Sequence, residues 1–249
     1  MQRTIVFLHG WGMTPAIWHG MRICLSPRAL LTPALPGHHG RPGAGPTLSA
    51  WSDTLAGDLP EQSVLCGWSL GGMIALDIAR RHPQKVARLV LVGTSPCFVN
   101  RDESAPSGEW RHGLEPEIVE GFVKGFDADP AGTLRRFLAL QAIGGTQRRG
   151  VIHALTRSLA PSDGSAKSDL AAGLAVLAST DLRVGLEEIT QPVHIVHGRE
   201  DALMPVAAAR WLATRITGSR LTEFDGCGHA PFLERPEAFA AQLAEIDLD

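Results

Sequence analysis

Ser63-Val64-Leu65-Cys66-Gly67-Trp68-Ser69-Leu70-Gly71-Gly72-Met73-Ile74 is the stretch whose reading decides the fold. The run from Ser63 to Cys66 is β-prone, and Gly71 to His82 has the composition of a helix that Pro83 stops. Ser69 stands between them, inside Gly67-Trp68-Ser69-Leu70-Gly71. A strand, a sharp turn and a helix in that order lift a serine hydroxyl clear of a sheet, and the small residues let helix and strand approach closely. The pentapeptide alone fits an ordinary glycine-rich turn equally well; its flanks favour a nucleophile.

Outward from that unit the same alternation continues. Thr4 to Leu8 is a continuous apolar run, the pattern of a parallel strand buried on both faces. A short strand is expected around Leu31 to Leu35, then an irregular loop through Pro36-Gly37-His38-His39-Gly40-Arg41-Pro42-Gly43. Leu48 to Leu59 reads as a helix begun by Thr47 or Ser49, and Ala87 to Val92 as a further strand. Beyond residue 98 no strand-like run occurs until Val193 to His197. Helical stretches lie between, near Pro116 to Phe126, Ala131 to Ala142, Thr146 to Leu159 and Ser168 to Ser179. The sheet pattern then resumes, with a helix near Val206 to Ile216, a strand Arg220 to Phe224 and a last helix Pro236 to Ile246. The expectation is an α/β fold of the α/β-hydrolase kind, a mostly parallel sheet of about six strands. Residues 1–98 and 183–249 would form its core and 99–182 a helical cap. Gly144-Gly145 and Gly164 could act as hinges of that cap.

Composition bounds the function. The chain has 249 residues, 44% of them hydrophobic, enough for one sizeable core. A net charge of −3 has neither the basic balance of a nucleic-acid binder nor the acidity of a disordered tail. Cys24, Cys66, Cys97 and Cys227 form no CxxC pair and no metal-ligand spacing, which fits a reducing compartment. The apolar run at Ile5 to Leu8 is too short for a signal sequence, and no apolar span of about 20 residues occurs. A cytoplasmic monomer is expected, without nucleic acid, membrane, cofactor or metal.

A serine hydroxyl at its free pKa is a poor nucleophile, so it needs a base, and the base needs an acid to hold its tautomer. The later strands supply both. Val193 to His197 runs into Gly198-Arg199-Glu200-Asp201, and Arg220 to Phe224 into Asp225-Gly226-Cys227-Gly228-His229. His229 and Asp201 thus follow the carboxyl ends of strands, as Ser69 does, where open α/β sheets place their sites. The order serine, acid, histidine also suits this fold. Glu200 and Asp225 compete with Asp201 for the acid. His194 and His197 fall on opposite faces of a strand and do not suggest a metal site. Two backbone donors should meet the oxyanion of acyl transfer: the amide of Leu70, after the nucleophile, and the amide of Trp11, in the His9-Gly10-Trp11-Gly12 loop.

Six segments together resemble a known family: His9-Gly10-Trp11-Gly12, Gly67 to Gly72, Ser95-Pro96-Cys97-Phe98, Arg136-Phe137-Leu138-Ala139-Leu140-Gln141, Thr180-Asp181-Leu182-Arg183 and Gly228-His229-Ala230-Pro231-Phe232. They look like the pimeloyl-acyl-carrier-protein methyl ester esterases of biotin synthesis, and the resemblance runs over nearly the whole chain. It implies a serine carboxylesterase with Ser69, Asp201 and His229 as its triad. It further implies Trp11 and Leu70 at the bound acyl end, and a pocket lined by Phe137, Leu138, Ala139, Leu140 and Gln141. Part of that last run must be ordinary helix core, since a cap helix has to bury one face.

The partner implied is an acyl carrier protein bearing the ester. Residues 131–160 hold Arg135, Arg136, Arg148, Arg149 and Arg157 and no acidic residue, a local charge of +5 in a chain of −3. Arg149, His153 and Arg157 are spaced four apart, on one helix face. Such a face attracts an acidic carrier, although solvated charge runs are common. Two departures from the family stand out. The chain begins at the strand ending in His9, so the strands that usually precede it are missing or truncated, and Gly132 and His153 occupy positions where family arginines are expected. Two alternatives remain: a promiscuous carboxylesterase for short free esters, and a hydrolase-derived ligand-binding receptor.

Overall fold

A computed structural model describes residues 3–26, 28–161 and 165–246. The apolar run at the amino terminus forms β1 (Ile5–Leu8), with all four residues buried. A 3₁₀ turn at Pro15–Trp18 leads into α1 (His19–Cys24), and β2 is the two-residue strand Leu30–Leu31. Next come α2 (Leu48–Asp58), β3 (Ser63–Trp68), α3 (Leu70–Arg81) and β4 (Val86–Val92). Four helices follow, α4 (Pro116–Ala128), α5 (Pro130–Gln141), α6 (Arg148–Arg157) and α7 (Ser165–Ser179). The sheet resumes with β5 (Val193–Gly198), α8 (Val206–Arg215), β6 (Arg220–Phe224), α9 (Pro231–Glu234) and α10 (Pro236–Ile246).

Among the described residues six strands pair in the order β2-β1-β3-β4-β5-β6, every pair parallel. Strand alternation divides the core into two layers. Ile5, Phe7, Val64, Cys66, Val90 and Val92 face Trp18, Met21, Phe232 and Phe239 of the elements on one side. Val6, Leu8, Leu65, Leu89 and Leu91 face Trp51, Leu55, Ile74, Ile78 and Leu212 on the other. Helices α4 to α7 connect β4 to β5 and join both layers: Phe126, Leu134, Phe137 and Leu174 pack with the second, Leu138, Val151 and Leu155 with the first.

One sequence expectation needs correction, and the structure adds detail to others. The strand placed around Leu31 to Leu35 is only Leu30–Leu31, paired with Ile5 and Val6, because Pro33 removes a donor and ends the ladder. Leu31 is accordingly exposed at this sheet edge. The 3₁₀ turn and α1, unread in the sequence, begin without a capping side-chain hydrogen bond and exist because Ile17, Trp18 and Met21 bury on the sheet. Gly144 and Gly145 are packing glycines: a Cβ at Gly144 would strike the Glu200 backbone, and one at Gly145 the Glu234 carboxylate. Gly164 lies outside the described residues.

Candidate active site

Ser69 sits where β3 becomes α3, with φ +58° and ψ −122°. That region is costly for a residue with a side chain, on the order of 1–3 kcal/mol, and is held only where surroundings fix it. Here they do. Ser69 N donates to Val92 O at 3.0 Å, while the Ser69 carbonyl accepts from Gly72 N and Met73 N at 2.9 and 3.1 Å. A Cβ on Gly71 would lie 2.5 Å from the carbonyl oxygens of Leu8 and His9, so only glycine lets α3 start this close to β1. Leu70 opens α3, and the first N–H groups of a helix have no intrahelical acceptor, so this end offers a donor beside Ser69.

His229 and Asp201 converge from the loops after β6 and β5. His229 Nδ1 donates to Asp201 Oδ2 at 2.7 Å, and both residues are buried. Asp201 Oδ1 accepts from Leu203 N and Met204 N, each at 2.9 Å. Burial alone would raise the Asp201 pKa. The His229 imidazole and hydrogen bonds from His197 and His229 outweigh it and hold the carboxyl below the usual carboxylate range. The competing acids are engaged elsewhere: Glu200 Oε2 accepts from Cys227 N at 3.1 Å, and the exposed Asp225 pairs with Arg199 at 2.6 Å. With its Nδ1–H donating to the ionised Asp201, His229 keeps an Nε2 that has no hydrogen-bond partner among the described residues. Trp68 ties this loop to the nucleophile turn, its Nε1 donating to His229 O at 2.9 Å.

The loop after β1 lies against the same turn, since a Cβ on Gly10 would be 3.3 Å from Ser69 Cβ. Two buried histidines, His9 and His38, hold this loop through hydrogen bonds that the sequence did not indicate. Gly12 N donates to His38 Nε2 at 3.1 Å while His38 Nδ1 donates to Pro36 O, and Leu35 N donates to His9 Nε2 at 3.1 Å while His9 Nδ1 donates to Gly10 O. Each ring therefore needs one bare and one protonated nitrogen and is neutral. Burial lowers the His38 pKa to about 4; for His9, burial and the nearby His38 lower it to about 3.

The buried Trp11 indole donates to Leu170 O at 2.8 Å and meets Phe137 edge-to-face at 5.0 Å. Phe137 and Leu138 are buried core, Ala139 and Leu140 are partly exposed, and Leu70 is buried. Gln141 differs in kind. It is 1% exposed, its carbonyl accepts from His229 N at 3.3 Å, and neither Oε1 nor Nε2 has a partner among the described residues. A buried carboxamide without partners is expensive, and both polar atoms of this one are open to a further hydrogen bond.

Two further residues support the site without a local sequence signal. His197 Nε2 lies 2.7 Å from Met204 O and 3.3 Å from Asp201 Oδ2. Glu234, buried in α9, accepts from Gly228 N at 2.7 Å and from Gln147 N at 3.4 Å, joining the His229 loop to the start of α6. Arg135, Arg148, Arg149 and Arg157 are exposed on α5 and α6; Arg136 is also exposed and donates to Thr133 Oγ1 at 2.8 Å.

A model of the Alpha/beta hydrolase family matches residues 5–242. The chain is 54% identical to a "Pimeloyl-[acyl-carrier protein] methyl ester esterase" from Aromatoleum aromaticum, across 97% of each chain. It is 36% identical to the "Biotin biosynthesis bifunctional protein BioHC" of Teredinibacter turnerae, across 96% of this chain and 43% of that one. In three dimensions it is similar to an esterase from Exiguobacterium antarcticum, with a TM-score of 0.83 at 23% identity, over 99% of this chain and 92% of that one. No helix among the described residues is long and apolar enough to cross a membrane.

Proposed function

The chain belongs to the alpha/beta hydrolase family, in its pimeloyl-[acyl-carrier protein] methyl ester esterase branch, and from that membership we propose that it cleaves the methyl ester of pimeloyl-acyl-carrier protein by acyl transfer through Ser69. The observation that carries the mechanism is the 2.7 Å bond from His229 Nδ1 to Asp201 Oδ2, which leaves Nε2 as the basic nitrogen in a loop tied to the strained Ser69 turn.

Ser69 Oγ attacks the ester carbonyl as its proton passes to His229 Nε2. The amides of Trp11 and Leu70 hold the oxyanion. The tetrahedral intermediate collapses, His229 protonates the departing methoxide, and methanol leaves an acyl-enzyme on Ser69. Water gives a proton to His229 and attacks that acyl group, and the proton returns to Ser69 as pimeloyl-carrier is released. Residues 99–182 act as the cap: Phe137 to Leu140 flank the acyl chain and Gln141 receives a polar group of the substrate. Arg135, Arg136, Arg148, Arg149 and Arg157 face the acidic carrier, and their lack of acidic neighbours in 131–160 supports this role.

The test compares pimeloyl-carrier methyl ester with a free methyl ester of the same acyl chain, at low and high salt. A salt-sensitive preference for the carrier-bound ester, abolished with all turnover in Ser69→Ala, is expected. Equal, salt-independent rates would make the protein a general esterase, and undiminished turnover in Ser69→Ala would remove the nucleophile.

A further inference from the structure

The last side chain of β5 before Gly198 is His197, fully buried and four residues ahead of Asp201. An apolar residue suits such a place, and an imidazole there is costly unless its polar atoms are matched. His197 Nε2 lies 2.7 Å from Met204 O and 3.3 Å from Asp201 Oδ2. A carbonyl and a carboxylate only accept, so Nε2 carries the proton. Nδ1 has no hydrogen-bond partner among the described residues, and a second proton there would be buried without an acceptor. The ring is therefore neutral, and its one N–H is shared between two acceptors.

Both acceptors belong to the turn that carries the catalytic acid. Asp201 Oδ1 accepts from Leu203 N and Met204 N, and Met204 O accepts from His197, so the imidazole closes a ring of hydrogen bonds around the carboxylate. Asp201 Oδ2, the oxygen that His229 Nδ1 meets at 2.7 Å, has His197 as its second donor. A donor on a carboxylate draws off charge and makes it less basic. Burial raises the Asp201 pKa, and the His229 charge followed by the His197 hydrogen bond lower it. The carboxylates nearest this cluster are engaged elsewhere, Glu200 with Cys227 N and Glu234 with Gly228 N, so Asp201 is the one that meets His197. An apolar side chain would fill the same volume; what the imidazole adds is an N–H for the turn and for Oδ2.

We propose that His197 is a positioning residue of the acyl transfer, a neutral donor that fixes the Asp201 carboxylate for His229 and tempers the basicity Asp201 confers on His229 Nε2. The inference rests on Ser69, Asp201 and His229 acting as the triad and adds a further side chain to it. His197 acts through Asp201 and touches no substrate, so its removal affects kcat and leaves KM alone. Its sign on pH is fixed too. Without the donor the carboxylate is more basic and favours the His229 imidazolium more strongly, so the acidic limb of kcat/KM, which reports that group in the free enzyme, moves to higher pH.

The experiment measures kcat, KM and the pH profile of kcat/KM on a free methyl ester, so that no carrier contact enters, with folded sites counted by labelling Ser69 to completion with a fluorophosphonate. His197→Met, close to histidine in volume but without a donor, should lower kcat about tenfold, keep KM within about twofold and raise the acidic limb by about half a pH unit. His197→Gln, whose amide N–H can serve the same acceptors, should recover most of kcat and return the limb toward its parental position. In an Asp201→Asn background the His197→Met change should cost less than about twofold, because its route to His229 runs through the carboxylate. The limb decides: an unmoved or lowered limb in His197→Met would overturn the inference whatever kcat does, as would equal losses in the Met and Gln variants or a full tenfold loss in the Asp201→Asn background. A near-parental kcat in Asp201→Asn alone would instead remove the triad on which the inference stands.

Discussion

Asp201→Asn changes two atoms' chemistry and no atom's size, and the surroundings dictate which way the new amide must turn. Leu203 N and Met204 N both donate to Oδ1, so the asparagine oxygen has to occupy that side. Its NH₂ then faces His229 Nδ1 from 2.7 Å and His197 Nε2 from 3.3 Å. A donor can bond only to a bare Nδ1, so the His229 proton moves to Nε2, the atom that must accept the proton of Ser69. Loss of a charge-assisted hydrogen bond by itself is worth about 1.5–3 kcal/mol, roughly 10- to 150-fold in rate. A forced wrong tautomer costs about 10⁴-fold in the worked serine-protease case, about 5.4 kcal/mol. The geometry puts this enzyme in the second regime. Steady-state kcat on a free methyl ester, with Ser69→Ala defining the floor and a urea midpoint confirming the fold, separates the two. A kcat within about 100-fold of the parent would show that Asp201 does not set the tautomer and would refute the assignment.

Three other expectations follow from strain, protonation and a buried carboxylate. Ser69→Gly relieves roughly 1–3 kcal/mol of backbone strain and loses about 0.5–1 kcal/mol to unfolded-chain entropy, so thermal melting should rise by about 2–4 °C as turnover disappears; a lower midpoint would contradict the strain. His38 and His9 hold their folded pKa values at about 4 and about 3, whereas unfolded histidine titrates near about 6.5, so the unfolded chain binds the extra protons between these values. The stability from these two rings is complete above pH ~6.5 and lost as pH falls toward 4, at up to about 2.7 kcal/mol per pH unit; His38→Gln, which still offers Gly12 an acceptor, should flatten the slope of urea midpoint against pH, and an unchanged slope would count against His38. Glu234→Ala strands the buried Gly228 N–H at a cost of about 1–3 kcal/mol and should lower kcat by loosening the His229 loop, while Glu234→Gln, keeping an acceptor, should retain most of both; equal behaviour of the two variants would exclude the hydrogen bond as the cause.

Much of this molecule is legible one segment at a time. Ile5 to Leu8, Ser63 to Trp68 and Val193 to Gly198 announce buried parallel strands because both faces of such a strand must be apolar. Ser69 and His229 can be picked out because each follows a strand end in a short turn, whereas the acid is narrowed by sequence only to Asp201 with Glu200 and Asp225 as rivals; the glycines around Ser69 are demanded by the backbone itself. Even the five arginines of residues 131–160 are a matter of counting. Leu31 to Leu35 misleads because β2 is an edge strand, where the limit is set by the available pairing with β1 and by Pro33. Tertiary structure alone decided what no local signal carries: that Asp201 rather than Glu200 meets His229, that His38 reaches Gly12 across 26 residues, and that Glu234 joins the imidazole loop to the start of α6. The physical reason is that a strand or helix is specified by the periodicity of its own apolar residues, whereas a buried polar contact is specified by which donor and acceptor the packed elements leave facing each other.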